Sequence, residues 1–190
     1  MPGLVWEQAF EVAMDQHGFV TAADLLRLEA DPVRLRQWLH RGAVERVSHG
    51  VYRFPQIPPS SLDPYMLAVL WPAGKGTLSH DTALELHGLC DVNPAKIHLT
   101  VPTGYYPRRQ GTERYNIHHE DLGDDDTTWH EGIRIVTPAV AIRQTQKSGL
   151  PTHLLRQAIE TARRLGRAPS SVLDTLAYAT GYKKSPLANN

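Results

Sequence analysis

The stretch that decides the fold of the N-terminal part is DPVRLRQWLHRGAVERVSHGVYRFP, residues 31–55. Its first half predicts a helix, because Asp31 suits the N-cap and Pro32 suits the first helical position. Its second half alternates apolar and polar residues on both sides of His49-Gly50, which predicts a β-hairpin with a type I′ turn. We therefore expect a short helix that is followed directly by a hairpin.

The predicted hairpin has two different faces. Pairing about the two-residue turn places Val47 opposite Tyr52, and with Phe54 they would form an apolar face that packs on the helices. The other face would hold Arg46 opposite Arg53, which is unfavourable by about a few tenths of a kcal/mol unless an anion lies between them. A DNA phosphate is such an anion. The alternatives are that both guanidinium groups turn into solvent, or that a different turn breaks this pairing.

Two further helices precede this stretch. Apolar residues at helical spacing predict one over residues 4–17, and Thr21 with Asp24 three residues later predicts the capped start of another. Three helices and a hairpin in about fifty residues is the element order of a winged helix-turn-helix. Five arginines oppose two acidic residues between positions 31 and 54, a net charge of +3, although the whole chain has a formal net charge of zero. Positive charge is therefore concentrated in the third helix and the hairpin.

The third helix is predicted to carry polar side chains opposite Leu35 and Leu39. Arginine can bind guanine and glutamine can bind adenine through two hydrogen bonds each, and recognition helices place such residues in the major groove. A helix that merely faces water would also be charged, so the hairpin is needed to favour the DNA-binding interpretation. The candidate DNA-binding residues are Arg34, Arg36, Gln37, His40, Arg41, Arg46, His49 and Arg53.

The segment FPQIPPSSLDP is rich in proline and serine and predicts a linker. We therefore expect a DNA-binding domain over residues 1–56 and a second domain over residues 57–190. The second part is predicted to mix helices at 62–71, 80–87, 152–165 and 170–181, with a short one after Thr137, and strands at 96–102, 115–118 and 132–138. The predicted fold class is α+β, with an N-terminal winged helix-turn-helix followed by a mixed α+β domain.

The composition is that of a soluble globular protein, with 41% hydrophobic and 21% charged residues. A single cysteine, Cys90, excludes an intramolecular disulfide and suits a reducing cytoplasm. The opening residues MPGLVWEQAF lack the basic flank and apolar core of a signal peptide, and no apolar run approaches the length of a membrane span. We expect a cytoplasmic protein with no membrane partner.

The sequence supports enzymatic and metal-binding functions less well than it supports DNA binding. A zinc site needs three or four converging ligands, and the sequence has neither an HExxH motif nor a second cysteine. The acidic run at 120–126 is more typical of a solvated loop than of a two-metal nuclease, and GKGT at 74–77 lacks the spacing of a phosphate-binding loop. We therefore predict no catalytic residues, no metal and no cofactor. The histidines considered as ligands were His80, His87, His98, His118 and His119.

Two segments, GFVTAADL and LRQWLHRGAVERVSHGVYRFP, resemble the N-terminal winged-helix domain of AbiEi-type antitoxins. The similarity includes a leucine-rich helix that ends in RG, an arginine-bearing strand and a GVYR wing. The later segments SHDTALELHGLCDVNPAKIHLTVP and GIRIVTPAVAI are similar to the antitoxin domain that follows in this family. The resemblance covers roughly residues 4–165.

The resemblance implies a bacterial antitoxin that represses its own operon and counteracts a nucleotidyltransferase-like toxin encoded beside it. Its winged helix would bind operator DNA through the third helix and the wing, and its second domain would supply the antitoxin activity. Two alternatives stay open. One is a winged-helix regulator whose second domain senses a ligand, and the other is a nuclease fused to a winged helix.

Overall fold

The computed structural model describes residues 3–107 and 111–181, so residues 1–2, 108–110 and 182–190 lie outside the described residues. The N-terminal part is built from α1 (Leu4–Asp15), β1 (Phe19–Thr21), α2 (Ala22–Arg27), α3 (Pro32–His40), β2 (Glu45–Ser48) and β3 (Val51–Arg53). Its three strands form an antiparallel sheet in the order β1-β3-β2. The three helices and the hairpin are confirmed. Strand β1 was not predicted, because three residues are too few to show an alternating pattern.

The predicted helix starts at Thr21 and Asp31 are confirmed in atomic detail. The Asp24 amide donates to Thr21 Oγ1 at 3.1 Å, and the Thr21 amide donates to Asp24 Oδ2 at 2.8 Å, which together form a capping box. Asp31 Oδ1 accepts from the Val33 amide at 2.7 Å at the start of α3. Both signals act within three residues, so they can be recognised from sequence alone.

The predicted register of the hairpin is wrong. Arg46 lies opposite Tyr52 and Glu45 lies opposite Arg53, because a bulge at Val47 inserts one extra residue into β2. Val47 is consequently 38% exposed and does not join the apolar face, and Tyr52 is half-buried against the helices. The turn is not type I′ either, since Gly50 has a φ of 70° but His49 does not have a positive φ.

Arg53 has a different environment from the predicted one. Its guanidinium donates to Asp63 Oδ2 at 3.2 Å and to the Ile57 carbonyl at 3.1 Å, and it lies over the Phe19 ring. The side chains of Arg53 and Asp63 are each only 15% exposed. The two facing arginines of the sequence prediction are thus replaced by an ion pair that joins β3 to the next helix.

The second part contains a five-stranded mixed sheet in the order β6-β5-β4-β8-β7. Pairs β5–β6 and β4–β8 are parallel, and pairs β4–β5 and β7–β8 are antiparallel. The elements are α4 (Asp63–Leu70), β4 (Thr77–Leu78), α5 (His80–Leu86), β5 (Ile97–Val101), β6 (Tyr115–His119), β7 (Thr127–His130), β8 (Ile133–Val136), α6 (Pro138–Ser148), α7 (Thr152–Arg164) and α8 (Ser170–Ala179). The α+β class is confirmed, whereas β4 and β7 were not predicted.

Helices cover both faces of this sheet. On one face Trp71, at the end of α4, packs on Tyr115 of β6 with ring centroids 5.0 Å apart. On the other face α5 and α6 pack on each other, and α7 and α8 pack further out against α6. Helix α7 buries one apolar stripe, as its spacing predicts: Leu155, Ala158, Ile159 and Ala162. No helix within residues 3–107 and 111–181 has the length and apolar character needed to cross a membrane.

The two sheets belong to two cores that meet near the predicted linker. The smaller core includes Val44, Phe54 and Ile57, so the N-terminal packing extends past the predicted boundary at residue 56. Phe19 and Val51 of the first sheet are instead buried in the larger core. His17 Nε2 also donates to the Glu131 carbonyl at 2.7 Å. The N-terminal sheet is therefore packed directly on the second part of the chain.

Candidate functional site

Helix α3 presents one polar face to solvent. Leu35, Trp38 and Leu39 are half-buried against the smaller core, and the Trp38 ring meets the Trp6 ring edge-on at 4.9 Å. The packing of these apolar residues fixes which side of the helix faces outward. The outward side chains are all exposed, as the sequence predicts: Arg34, Arg36, Gln37, His40 and Arg41.

The arginines of this face have no neutralising partner in the part of the chain that the structure describes. Ion pairs there involve Arg27, Arg53, Arg143 and Arg163, whereas Arg34, Arg36, Arg41 and Arg46 form none. Uncompensated positive charge that is concentrated on one element attracts polyanions even when the whole molecule is neutral. The arrangement is suited to contact with a nucleic-acid backbone.

The hairpin tip brings two further predicted residues together. Arg46 Nε donates to the Ser48 carbonyl at 3.4 Å, and its terminal nitrogen lies 3.3 Å from His49 Nδ1, with both side chains exposed. Arg53, also predicted here, lies apart from them because its guanidinium is directed toward Asp63. No local sequence pattern signals the bulge that separates Arg46 from Arg53.

An open cleft lies between the hairpin and the second sheet. Its volume is about 840 Å³, and it is lined on one side by Arg46 and His49 and on the other by Trp71, Glu113 and Arg114. The cleft therefore has basic side chains on both walls, with one carboxylate among them.

A second cluster of polar side chains lies inside the second part of the chain. It joins His80 at the start of α5, His98 on β5 and His118 on β6. His98 Nδ1 and His118 Nε2 are 3.1 Å apart, and the His80 ring stacks on the His118 ring with centroids separated by 3.5 Å. All three histidines are among the candidate ligands named from the sequence, but no metal site was predicted because they lie far apart in the chain and match no short motif.

The neighbours of the cluster hold it in place. Ser79 Oγ lies 3.0 Å from His80 Nδ1, and Asn116 Nδ2 lies 2.9 Å from His98 Nε2. Burial lowers the pKa of His80 to about 3 and that of His118 to about 4, and it also lowers the pKa of His98. The three imidazoles are therefore neutral at neutral pH, which is the form in which histidine binds metal ions.

One residue of the acidic run borders this cluster instead of facing solvent. Glu120 accepts from Gln144 Nε2 at 2.6 Å and from an Arg143 terminal nitrogen at 2.8 Å. Gln144 is buried, and its Oε1 accepts from the His80 amide at 3.3 Å. A second residue, Asp126, accepts from the Gly123 amide and closes a turn. The prediction of a uniformly solvated acidic loop is therefore wrong for Glu120.

Comparison with known proteins agrees with the resemblance seen in the sequence. Residues 7–55 match the family described as "Transcriptional regulator, AbiEi antitoxin", a regulatory family and not an enzyme family. The matched segment contains α3 and the hairpin. No curated protein matches the chain. Among solved structures, the crystal structure of RV2827C protein from Mycobacterium tuberculosis is similar, with 18% identity over 96% of this chain and 78% of that chain and a TM-score of 0.47.

Proposed function

We propose that this protein is the antitoxin and autorepressor of a bacterial toxin–antitoxin operon. In this proposal the N-terminal part is a winged helix-turn-helix that binds operator DNA, and the chain is a cytoplasmic regulator without catalytic activity. The observation that supports the proposal most is the exposed face of α3. Its arginines have no ion-pair partner in the described residues, and the face lies within the segment that matches the antitoxin family.

Helix α3 would enter the major groove. Gln37 and Arg41 would contact base edges, since both are exposed on the side opposite the packed leucines. Arg34, Arg36 and His40 would contact phosphates or bases beside them. At the hairpin tip Arg46 and His49 would contact the phosphate backbone. We leave Arg53 out of this set, because its guanidinium is already bound to Asp63 and to a carbonyl.

The second part of the chain would counteract the toxin. Following the resemblance, that toxin is a nucleotidyltransferase-like protein encoded beside this gene. The resemblance to AbiEi-type antitoxins implies that this role belongs to the second part, which is built on the five-stranded sheet and its helices, whereas the matched family segment ends at residue 55. DNA binding and toxin neutralisation would then depend on different surfaces and should be separable by mutation.

Co-expression with the neighbouring gene tests the proposal. The full chain should restore growth of cells that express the toxin and should retard promoter DNA from its own operon in a gel-shift assay. The triple variant Arg34→Ala, Gln37→Ala, Arg41→Ala should lose the gel shift and still restore growth. A matched control for DNA binding is Arg164→Ala, an exposed arginine on α7, which should retain the gel shift.

Two results would contradict the proposal. If the full chain does not restore growth beside any adjacent toxin gene, the antitoxin function is wrong. If the triple variant binds promoter DNA as tightly as the wild type, α3 does not recognise DNA.

The second candidate function is a regulator that senses a small ligand, and the cleft of about 840 Å³ favours it. An occupant would contact the hairpin and the second sheet together, so it could change how the hairpin meets DNA. Mass spectrometry of an extract from the purified protein tests this alternative. A retained compound that releases promoter DNA when it is added back would favour ligand sensing over antitoxin function.

A further inference from the structure

We propose that His80, His98 and His118 form a binding site for a divalent transition-metal ion of the zinc class. Each histidine comes from a different element, and one ring nitrogen of each lies within 4.8 Å of those of the other two. The inference does not depend on the proposed function, because the site lies in the second part of the chain, away from α3 and the hairpin tip.

The topology of the sheet creates the pair of ligands at the centre of this site. Strands β5 and β6 are parallel, with His98 opposite Asn116 and Thr100 opposite His118. His98 and His118 therefore lie on the same face of the sheet, one step apart on adjacent strands. This is the face that α5 and α6 cover, because His80 stacks on His118 and Gln144 contacts Thr100 from there. His119 lies on the opposite face, where its ring contacts Tyr106.

The distance between these two ligands already suits a metal ion. Zinc binds imidazole nitrogen at about 2.0–2.1 Å, so two ligands of a tetrahedral ion lie about 3.3 Å apart. His98 Nδ1 and His118 Nε2 are separated by 3.1 Å. Without metal, one of these nitrogens donates its N–H to the other. With metal, that hydrogen moves to the other nitrogen of the same ring, so the imidazole stays neutral and both facing nitrogens become ligands.

His80 would supply the third ligand after a rotation of its side chain. Its ring now stacks on His118, which directs its nitrogens away from a common centre with the other two. Its Nδ1 now lies 3.0 Å from Ser79 Oγ, and a rotation that keeps this contact lets Nδ1–H donate to Ser79 and leaves Nε2 for the ion. The backbone at His80 has a φ of 50°, and such a conformation in a residue other than glycine persists only where its surroundings fix it.

The neighbouring polar groups match those that orient metal-bound histidines elsewhere. Such histidines usually donate their second ring N–H to a nearby oxygen. Ser79 can accept from His80, and Asn116 lies 2.9 Å from His98 Nε2, where its amide oxygen can accept once the amide group turns over. Glu120 lies close enough to His118 to influence its pKa, and it would offset part of the added positive charge.

The ligand set selects the class of metal. Three neutral imidazoles without thiolates suit zinc, cobalt, nickel or copper, whereas magnesium and calcium prefer oxygen ligands. Within the described residues no carboxylate or cysteine belongs to the cluster, so water would occupy the fourth position. The ion would tie the start of α5 to the edge strand β6 and stabilise that edge of the sheet.

Metal titration of the full, untagged chain tests the site. After treatment with a chelator, the protein should bind one Co²⁺ per chain with the intense visible absorption of a tetrahedral ion, and Zn²⁺ should displace it. His118→Gln should weaken binding by at least about 100-fold, because losing a ligand costs more than losing a group that orients one. Asn116→Ala should weaken binding by about 10–100-fold.

The matched control is His119→Gln, which changes the next residue on the same strand and should bind as the wild type does. If the wild type binds no cobalt, or if His119→Gln and His118→Gln weaken binding equally, the site is wrong. If near-ultraviolet circular dichroism shows that His118→Gln is unfolded, His98→Gln replaces it. Zn²⁺ should raise the melting temperature of the wild type, and absence of that rise would also overturn the proposal.

Discussion

Two arginines of the hairpin show how one residue's position decides its role. Arg46 and Arg53 occupy similar places in the sequence pattern, seven residues apart on either side of the turn. Arg46 is exposed and, among the described residues, its side chain is hydrogen-bonded within the hairpin tip to Ser48 and His49, whereas Arg53 is enclosed by Phe19, Ile57 and Asp63. We therefore expect Arg46 to contribute to DNA affinity and Arg53 to contribute to the free energy of unfolding.

Replacing Arg46 by alanine should weaken binding equally on all DNA sequences. Each phosphate contact contributes about 0.9 to the slope of log affinity against log salt, so the slope should fall by about one unit. The free energy of unfolding should not change measurably, because this side chain is exposed. Fluorescence anisotropy at a series of salt concentrations checks the slope, and an unchanged slope would exclude a phosphate contact.

Replacing Arg53 by alanine should instead lower the stability of the protein and leave the salt dependence of DNA binding unchanged. It leaves Asp63 Oδ2 without its cation, while Ser60 still donates to Oδ1, and loss of a hydrogen bond to a charged group costs about 1.5–3 kcal/mol of unfolding free energy. The salt slope of DNA binding should stay at the wild-type value under conditions where the variant is folded. Urea denaturation measures the loss. A smaller salt slope without loss of stability would instead show that Arg53 contacts DNA phosphate.

His87 should make the protein less stable in mild acid. Its Nε2–H donates to the Val136 carbonyl at 2.8 Å, and burial lowers its pKa, with smaller contributions from the nearby charges of His130 and Arg167. The unfolded chain then binds a proton more readily than the folded one. The stabilising contribution of neutral His87 is complete above the unfolded pKa of about 6.5 and is lost as the pH falls below it.

The His87→Gln variant isolates this effect from that of the other histidines. Glutamine can still donate to the carbonyl but does not titrate, so melting temperatures from about pH 7.5 to about pH 5 should fall less steeply than in the wild type. Parallel curves for the two proteins would show that His87 does not contribute.

At the scale of the element, α3 has two faces with separate functions. Its half-buried face, with Leu35, Trp38 and Leu39, holds the helix on the smaller core, while its outer face is free to meet a ligand. Asp31 and Pro32 begin the helix, so the direction in which Gln37 and Arg41 point is set before any DNA arrives. Such prior ordering reduces the entropy lost on binding.

Gln37→Ala or Arg41→Ala should lower affinity for the operator by about 1–3 kcal/mol and change affinity for random DNA little. The reason is that hydrogen bonds to base edges distinguish sequences, whereas phosphate contacts do not. Competition binding with operator and scrambled DNA of equal length measures the difference. Equal losses of affinity on both DNAs would show that these residues contact the DNA backbone and not the bases.

At the scale of the whole molecule, the two parts of the chain depend on each other. Phe19 and Val51 belong to the N-terminal sheet but are buried in the larger core, and the Arg53–Asp63 ion pair crosses the same junction. A proline- and serine-rich segment thus connects two sheets that are packed together. The position of the hairpin relative to the second part of the chain follows from this packing.

A fragment of residues 1–57 should therefore be less stable than the same residues in the full chain. Cutting after Ile57 exposes Phe19 and Val51 and removes Asp63 from Arg53. Burial of one such apolar side chain contributes about 1.5–3 kcal/mol. The fragment should melt at a lower temperature by circular dichroism yet still bind the operator when folded. If the fragment melts at the same temperature as the full chain, the junction contributes nothing to stability.

The fragment should also fail to protect cells from the toxin, because the proposal assigns that activity to the second part. Growth measured at matched expression of the fragment and the full chain tests this division. Restoration of growth by residues 1–57 alone would contradict it.

The sequence by itself determined the features that depend on neighbours within a few residues. The capping box of Thr21 and Asp24, the start of α3 at Asp31 and Pro32, and the apolar stripe of α7 all follow from local hydrogen bonds and helical spacing. The charged face of α3 was predictable for the same reason, since the spacing of its leucines fixes the outward side.

Only the tertiary structure decided which distant residues meet. Packing of the N-terminal sheet on the second part places Arg53 beside Asp63, and parallel pairing of β5 with β6 brings His98 to His118. These pairings join residues 10 to 20 positions apart whose contact depends on how whole elements pack. A change of one residue in strand register reverses which face each side chain occupies, and in the hairpin a bulge that the alternating pattern does not mark changed that register.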